Sequence, residues 1–195
     1  CSLVSEAGLC AAGSFNVPTC TWSWTPAEAD GPTSCNVTTR ASDGVCNTDV
    51  VTHVVVNEVN DAPVLDPVGN KSVNELATLN FTATASDAND IPANNLTFSL
   101  GADCPSTATI NPVTGAFSWT PEESHGPNVF ACTIIVTDDG IPNLNDSETI
   151  NITVNEINVC PTSSAPANDS GDEETLISFS VSPMTDPDIP AQTLT

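Results

Sequence analysis

The sequence predicts an all-β chain built from tandem β-sandwich domains, and three observations predict it. Apolar residues alternate with polar ones over short runs: Leu79, Phe81, Ala83 and Ala85 against Asn80, Thr82 and Thr84, and Ile150, Ile152 and Val154 against Asn151 and Thr153. A period of two is that of a strand with one buried face. Gly, Pro, Asn and Asp clusters interrupt these runs at roughly 8–12-residue intervals, the rhythm of a sandwich, and no stretch carries a helical period. Finally, Asn57-Glu58-Val59-Asn60-Asp61-Ala62-Pro63 returns 98 residues later as Asn155-Glu156-Ile157-Asn158-Val159-Cys160-Pro161. A 195-residue chain with that period holds two domain lengths.

Taken in order, Trp22 and Trp24 share one strand face, as do Phe117 and Trp119. Ser23-Trp24-Thr25-Pro26 and Gly31-Pro32 recur as Ser118-Trp119-Thr120-Pro121 and Gly126-Pro127, and Asp43-Gly44 recurs as Asp139-Gly140. Past the first linker, Asn70-Lys71-Ser72, Glu75 and Phe81 recur as Asn168-Asp169-Ser170, Glu173 and Phe179. Asp90-Ile91-Pro92-Ala93 returns unchanged as Asp188-Ile189-Pro190-Ala191, and Leu96-Thr97 as Leu194-Thr195. Phe98-Ser99-Leu100 comes directly after Leu96-Thr97, and the chain opens with Cys1-Ser2-Leu3, so its end reads on into its beginning. The expectation is one period of a long array. Residues 1–60 form the C-terminal part of a first repeat, 61–158 a complete second, and 159–195 the N-terminal part of the next, one domain being split across the chain ends. Trp22, Trp24, Trp119, Phe81, Phe98 and Phe117 are the expected core aromatics, and the 16 prolines fall mostly at strand ends.

Acids number 25 against two bases, Arg40 and Lys71, for a net charge of −23. Neutralising phosphates takes Lys and Arg, so this balance argues against nucleic acid or an anionic membrane as partner and suits divalent cations or a salty medium. Eight cysteines without a C-x-x-C pair point to disulfides and an extracellular or cell-surface setting. Sequons at Asn36, Asn70, Asn80, Asn95, Asn145, Asn151 and Asn168 are candidate glycosylation sites that fit secretion. No apolar run approaches the ~18 residues of a membrane span.

Asn60-Asp61-Ala62-Pro63, the Asn74-Glu75 pair, the Ser-Trp-Thr-Pro turns and Asp138-Asp139-Gly140-Ile141-Pro142 together resemble the cadherin-like, immunoglobulin-like repeats of very large microbial surface proteins, including the dystroglycan-type cadherin-like class. The resemblance covers essentially the whole chain. It implies seven-stranded Greek-key sandwiches joined end to end, with calcium at the joints. Carried over by position, Glu28, Glu58, Asn60, Asp61, Asp87, Asp90 and Asp138 or Asp139 are the implied ligands of the first joint. Further implied ligands are Glu75, Glu122 and Glu123 at the lower end of the complete repeat, Asn158 in the second linker, and Asp186 and Asp188 at the family spacing, with Glu173 or Glu174 the counterpart of Glu75 one repeat on. Carboxylates, amides and carbonyls are the oxygen donors calcium takes, six to eight at a time. The pattern departs from the family in three places. The linker is a residue short, with Ala62 where an Asn would stand; Asn89 is inserted between Asp87 and Asp90; and Val159 replaces Asp61 in the second linker. Fewer ions per joint than in animal cadherins are therefore expected.

The strand order of such a sandwich also implies cysteine partners. Cys104, ending the strand from Leu96, would pair with Cys132, beginning the strand up to Asp138. Cys10 would pair with Cys35 likewise, and Cys1 with Cys20 across the two sheets. That leaves Cys46 and Cys160, for which a bridge from one period to the next is expected.

Catalysis finds little support. His125, among Glu122, Glu123 and Gly126, reads as a solvated loop residue, and His53 lies on a strand without an acidic neighbour. Phosphate loops, zinc spacings and nucleophile elbows are lacking. The expected role is a structural element of an extracellular filament or surface fibre made of copies of this chain, its joints stiffened by calcium and disulfides. The alternative is a calcium-dependent adhesin stalk or a glycan-binding module. Adjoining periods are expected to be one continuous polypeptide rather than strand-donating subunits.

Overall fold

The computed structural model describes residues 1–6, 8–162, 170–178, 185, 186 and 188. Phe179, Ile189-Pro190-Ala191, Leu194-Thr195 and the Asn168 sequon lie outside the described residues, as does the expected closure of the period at Thr195. Among the described residues the strands run β1 (Ser2–Glu6), β2 (Ser14–Asn16), β3 (Thr21–Ser23), β4 (Thr33–Ser42), β5 (Asn47–Val56), β6 (Val64–Leu65), β7 (Lys71–Asn74), β8 (Leu79–Thr82), β9 (Ala85–Ser86), β10 (Thr97–Leu100), β11 (Thr109–Ile110), β12 (Ala116–Trp119), β13 (Asn128–Thr137) and β14 (Asn145–Asn155). The described helices are three short 3₁₀ turns, Gly8–Ala12, Glu28–Asp30 and Glu123–His125. Among the described residues no helix is long and apolar enough to cross a membrane.

Contacts divide the chain into two compact units: Cys1–Val64 with Ala85–Thr97 and Val136–Asp146, and Leu65–Thr84 with Phe98–Ile135 and Ser147–Thr195. In the first, β1, β4 and β5 form one antiparallel sheet in that order, and β2 pairs with β3. Its core is small: Cys10, Cys35 and Val37, with Leu3, Trp22, Trp24 and Val54 packed against them. Trp22 and Trp24, 6.2 Å apart, are half-buried, as is Phe81 in the other unit, so these three aromatics flank the cores they were expected to fill.

The second unit is a sandwich of a four-stranded sheet, β10-β13-β14-β7, and a three-stranded one, β11-β12-β8. Phe117 and Trp119 on β12, with Cys132, Ile134, Ile150, Ile152 and Val154 from the opposing sheet, are buried, as is Phe98. The alternation of β14 is that of an inner strand: Ile150, Ile152 and Val154 point inward while Asn151 and Thr153 face water. Its neighbour β7 runs parallel to it, Ile152 opposite Lys71 and Asn155 opposite Asn74. Between β11 and β12, Asn111 Oδ1 accepts the Val113 and Thr114 amides at 2.9 and 3.0 Å, and Gly115 takes φ +68°. A Cβ at Gly115 would also strike the Ala83 carbonyl, so glycine is required there twice over.

The run from Leu79 to Ala85, expected as one strand, is two. Ala83 N–H donates to the Gly115 carbonyl, whereas the Thr84 carbonyl accepts from Asp66 N–H. The backbone therefore changes partners between residues 83 and 84, and β8 and β9 join different sheets. Inward alternation continues across the break, which is why side-chain pattern alone reads it as continuous.

Candidate metal centres

Two acidic clusters are built on the same local device. In the first unit, the turn Glu28–Asp30 is closed by Ala27 N–H donating to Asp30 Oδ2 at 2.7 Å. In the second, Glu123–His125 is closed by Glu122 N–H donating to His125 Nδ1 at 2.8 Å. Each turn comes after a Ser-Trp-Thr-Pro copy and holds the carboxylate at its start, Glu28 or Glu123, towards a cluster. His125 is thus a half-buried structural group, not the solvated loop residue expected. Its ring lies 5.2 Å from Phe130 and 5.7 Å from Trp119.

In the first cluster, ligand oxygens of Glu28, Glu58 and Asp90 all lie within 4.8 Å of one another. Asp90 is 3% exposed; its Oδ1 accepts the Asp61 amide at 3.0 Å and its Oδ2 accepts Asn94 Nδ2 at 2.5 Å. Asn60 bridges the group to Asp138: its Nδ2 donates to Asp138 Oδ2 at 3.1 Å, and its Oδ1 accepts from Asn94. Asp138 Oδ1 accepts the Gly140 and Leu144 amides, which anchors it. Of the two neighbouring aspartates only Asp138 belongs here. Asp139 faces Asn95, whose side chain and amide hold its carboxyl below the ordinary value. Asp87 approaches Asp90 and Asp138. Its carboxyl is pushed up first by burial and then by the Asp90 charge. Glu28 is raised first by the close approach of the Glu58 carboxyl, then by burial and the charges of Glu58, Asp61 and Asp90.

The second cluster brings Glu75, Glu123 and Glu156 within the same 4.8 Å. Glu75 is 3% exposed, its Oε1 accepting the Ile157 amide at 3.0 Å. Burial raises Glu123 and Glu156 above the ordinary glutamate value, and the Glu75 charge adds to it. Buried Asp188 adds a further charge beside them while accepting the Val159 amide on both oxygens, at 2.9 and 3.0 Å. Asp186 Oδ1 accepts the Asp188 amide. Glu122 is exposed and outside this trio, and Asn158 is exposed. Glu156 was missed by the sequence reading, although its position as the copy of Glu58 was the available signal.

Glycine makes room at both places. A Cβ on Gly126 would collide with Glu75 Oε2 and lie 3.2 Å from Glu156 Oε2; one on Gly31 would lie 3.0 Å from Glu58 Oε2. Among the described residues, the buried side-chain polar atoms without a hydrogen-bond partner are Glu58 Oε1 and Oε2, Glu75 Oε2, Asp87 Oδ2, Glu123 Oε1, and Glu156 Oε1 and Oε2. All belong to the two clusters. An unpaired buried carboxylate is expensive, and here the nearest groups are more carboxylates. A hard cation fits this donor set, since it offers oxygen and neither nitrogen nor sulfur ligands.

Disulfides join Cys1 to Cys20, Cys10 to Cys35 and Cys104 to Cys132, while Cys46 and Cys160 carry exposed thiols. Cys104 lies in the turn beyond β10 and Cys132 within β13, rather than at the strand ends assigned from sequence. The six described sequon asparagines, Asn36, Asn70, Asn80, Asn95, Asn145 and Asn151, are exposed. His53 Nδ1 lies 3.0 Å from Asn36 Oδ1.

Residues 62–155 match the family described as "Putative Ig domain" (He_PIG). No curated protein matches the chain. Among solved structures it is similar to human CDH23 EC21-23, at 20% identity and a TM-score of 0.53, over 91% of this chain and 66% of that one. It is also similar to mouse Cadherin-23 EC22-24, at 21% identity and a TM-score of 0.47, over 80% of this chain and 53% of that one. A third likeness is to a nucleoside hydrolase-related hypothetical protein from Saccharophagus degradans, at 20% identity and a TM-score of 0.41, over 49% of this chain and 26% of that one. The chain thus spans from about a quarter to about two thirds of these structures' length. Its fold is a cadherin-like, immunoglobulin-like β-sandwich.

Proposed function

We propose that this cadherin-like chain is a structural element of an extracellular filament or surface fibre, made of tandem repeats whose joints bind calcium. The observation that carries the proposal is the gathering of unpartnered buried carboxylate oxygens into two clusters, each beside a linker copy. Glu28, Glu58 and Asp90, with Asn60, Asp61, Asp87 and Asp138 around them, would hold an ion at the first. Glu75, Glu123 and Glu156, with Asp188 beside them, would do so at the second. The ion supplies charge neutralisation. Without it the carboxylates repel, and the linker amides at Asp61 and Ile157 are tied to mutually repelling acidic partners. With it, linker and loops share one anchor, and bending a joint would pull ligands off the ion.

Isothermal calorimetry of the chelator-treated chain tests this, with calcium titrated against wild type, Glu58→Gln and Glu156→Gln. Binding should weaken in each variant, and thermal stability should rise with calcium in the wild type. Absence of heat and of any calcium-dependent shift in melting temperature would reject calcium joints. Electron microscopy of the native material separates a fibre from a projecting stalk.

A further inference from the structure

Cys46 and Cys160 occupy repeat positions whose copies flank a contact made elsewhere in this same chain. Cys46 immediately precedes β5 as Leu144 immediately precedes β14, and Cys160 is the copy of Ala62. In the Ala62–Leu144 copy of the arrangement, Asn60 Nδ2 donates to the Pro142 carbonyl at 2.9 Å and to Asp138 at 3.1 Å. Ala62 and Leu144 each stand two residues beyond that contact. One copy of this pair is Ala with Leu, the other Cys with Cys.

The edge beside Cys46 is also open. β5 ends its sheet, with β4 on one side and no strand among the described residues on the other. On β14 the inward Ile150, Ile152 and Val154 are at most 1% exposed. Their copies on β5, Thr52, Val54 and Val56, are exposed or half-buried, and Val50 next to them is 56% exposed. Cys46 itself is held in a fixed turn, its amide and that of Val45 donating to Asp43 Oδ1 at 2.7 and 2.9 Å.

We infer that a second copy of this chain seats its Cys160 at the open edge of β5, and that an intermolecular disulfide between Cys46 and that second copy's Cys160 locks it there. The inference rests on the tandem-repeat reading above and names the contact that joins one period to the next. The oxidant is a low-molecular-weight disulfide such as glutathione disulfide. The Cys46 thiolate attacks one of its sulfurs, forming a mixed disulfide and expelling one glutathione thiolate. The Cys160 thiolate of the second copy then attacks the Cys46 sulfur and expels the other. Two protein thiols and one disulfide become one protein disulfide and two glutathiones, the two released protons passing to the two glutathione thiolates. The contact is heterologous, so each copy keeps one free site and growth is open-ended.

The test uses the 195-residue chain in a glutathione redox buffer, with and without calcium. Wild type should give a non-reducing ladder at multiples of the chain mass that collapses with dithiothreitol, and mass spectrometry should find the Cys46 peptide joined to the Cys160 peptide. Mixing ¹⁵N-labelled and unlabelled chains should yield that cross-link between isotopes. Cys46→Ser and Cys160→Ser should each lose the ladder, while their mixture should form dimers and stop there. The double variant Cys46→Leu/Cys160→Ala, which copies the Leu144–Ala62 pair, should stay folded and lose the ladder. Monomers only, a bond within one chain, or Cys46–Cys46 and Cys160–Cys160 dimers in comparable yield would overturn the inference. If calcium still binds in that event, the joint reading stands and only the covalent link falls. If the ladder forms without calcium binding, the reverse holds.

Discussion

Trp119 ties the second unit's core to its acidic cluster, so its truncation should be felt in both. The side chain is 1% exposed, sits edge-on to Phe130 at 5.3 Å, and lies 5.7 Å from His125. Its Nε1–H donates to Thr107 Oγ1 at 3.1 Å. Trp119→Ala removes the transfer free energy of the indole and leaves a cavity, a loss of about 3–5 kcal/mol. The Thr107 hydroxyl is on an exposed residue and turns to water, so the broken hydrogen bond adds little. Trp119→Phe keeps most of the buried ring and should lose only about 1–2 kcal/mol. Trp24→Ala, at the matching but half-buried position, should lose roughly half as much as Trp119→Ala. Because His125 packs on Trp119 and closes the turn that presents Glu123, calcium affinity at Glu75, Glu123 and Glu156 should fall in Trp119→Ala. Affinity at Glu28, Glu58 and Asp90 should not. Urea unfolding followed by far-ultraviolet circular dichroism, with calorimetry for calcium, reads both effects. A loss below about 1 kcal/mol, or equal losses at Trp24 and Trp119, would refute the assignment of Trp119 as the core anchor.

Other predictions concern the clusters and the cross-links. Glu156 titrates above the ordinary glutamate value of 4.5 in the folded chain, so the folded state binds the proton more tightly than the unfolded one. Its contribution is therefore favourable below that value and is lost as pH rises through the raised one. In chelator at neutral pH, Glu156→Gln should be more stable than wild type; below pH 4.5 the difference should vanish, and in calcium the variant should bind about tenfold or more weakly. Thermal melts across pH decide this, and a destabilised variant in chelator would contradict it. Gly126→Ala places a methyl against Glu75 Oε2, so calorimetry should show calcium binding impaired at the second cluster and intact at the first. Gly31→Ala, 3.0 Å from Glu58 Oε2, should be milder, because the carboxylate end of Glu58 can shift. Replacing both Cys104 and Cys132 by Ser opens a 28-residue loop and should lower stability by about 3–4 kcal/mol on the chain-entropy estimate, read from the urea midpoint.

How far the fold and the clusters could be read in advance differs by residue. The inward set of β14 was legible because a strand's side-chain period is two and Ile150, Ile152 and Val154 keep it without exception. The repeated Ser-Trp-Thr-Pro turns and linker acids were legible because identical local sequence closes identical local hydrogen bonds, as at Ala27–Asp30 and Glu122–His125. Spacing also pointed to Glu28, Glu58 and Asp90 together, since linker, turn and loop return at fixed offsets.

Other features depend on partners distant in the chain, and local pattern carries no record of them. The break between β8 and β9 comes from Gly115 and Asp66 competing for the backbone at residues 83 and 84, while the side chains go on alternating. Asp138 and Asp139 are chemically alike; which one joins the cluster is set by Asn60 engaging the first and Asn95 the second. Glu122 and Glu123 are likewise adjacent, and the 3₁₀ turn alone rotates one inward and leaves the other in water. The sequence by itself determined that this protein is a repeating, all-β, acid-rich and cysteine-bearing chain, because period and composition are local properties. Only the tertiary structure decided which carboxylates are buried without partners, because desolvation and the loss of competing donors arise when segments as far apart as Glu75 and Glu156 close on one another.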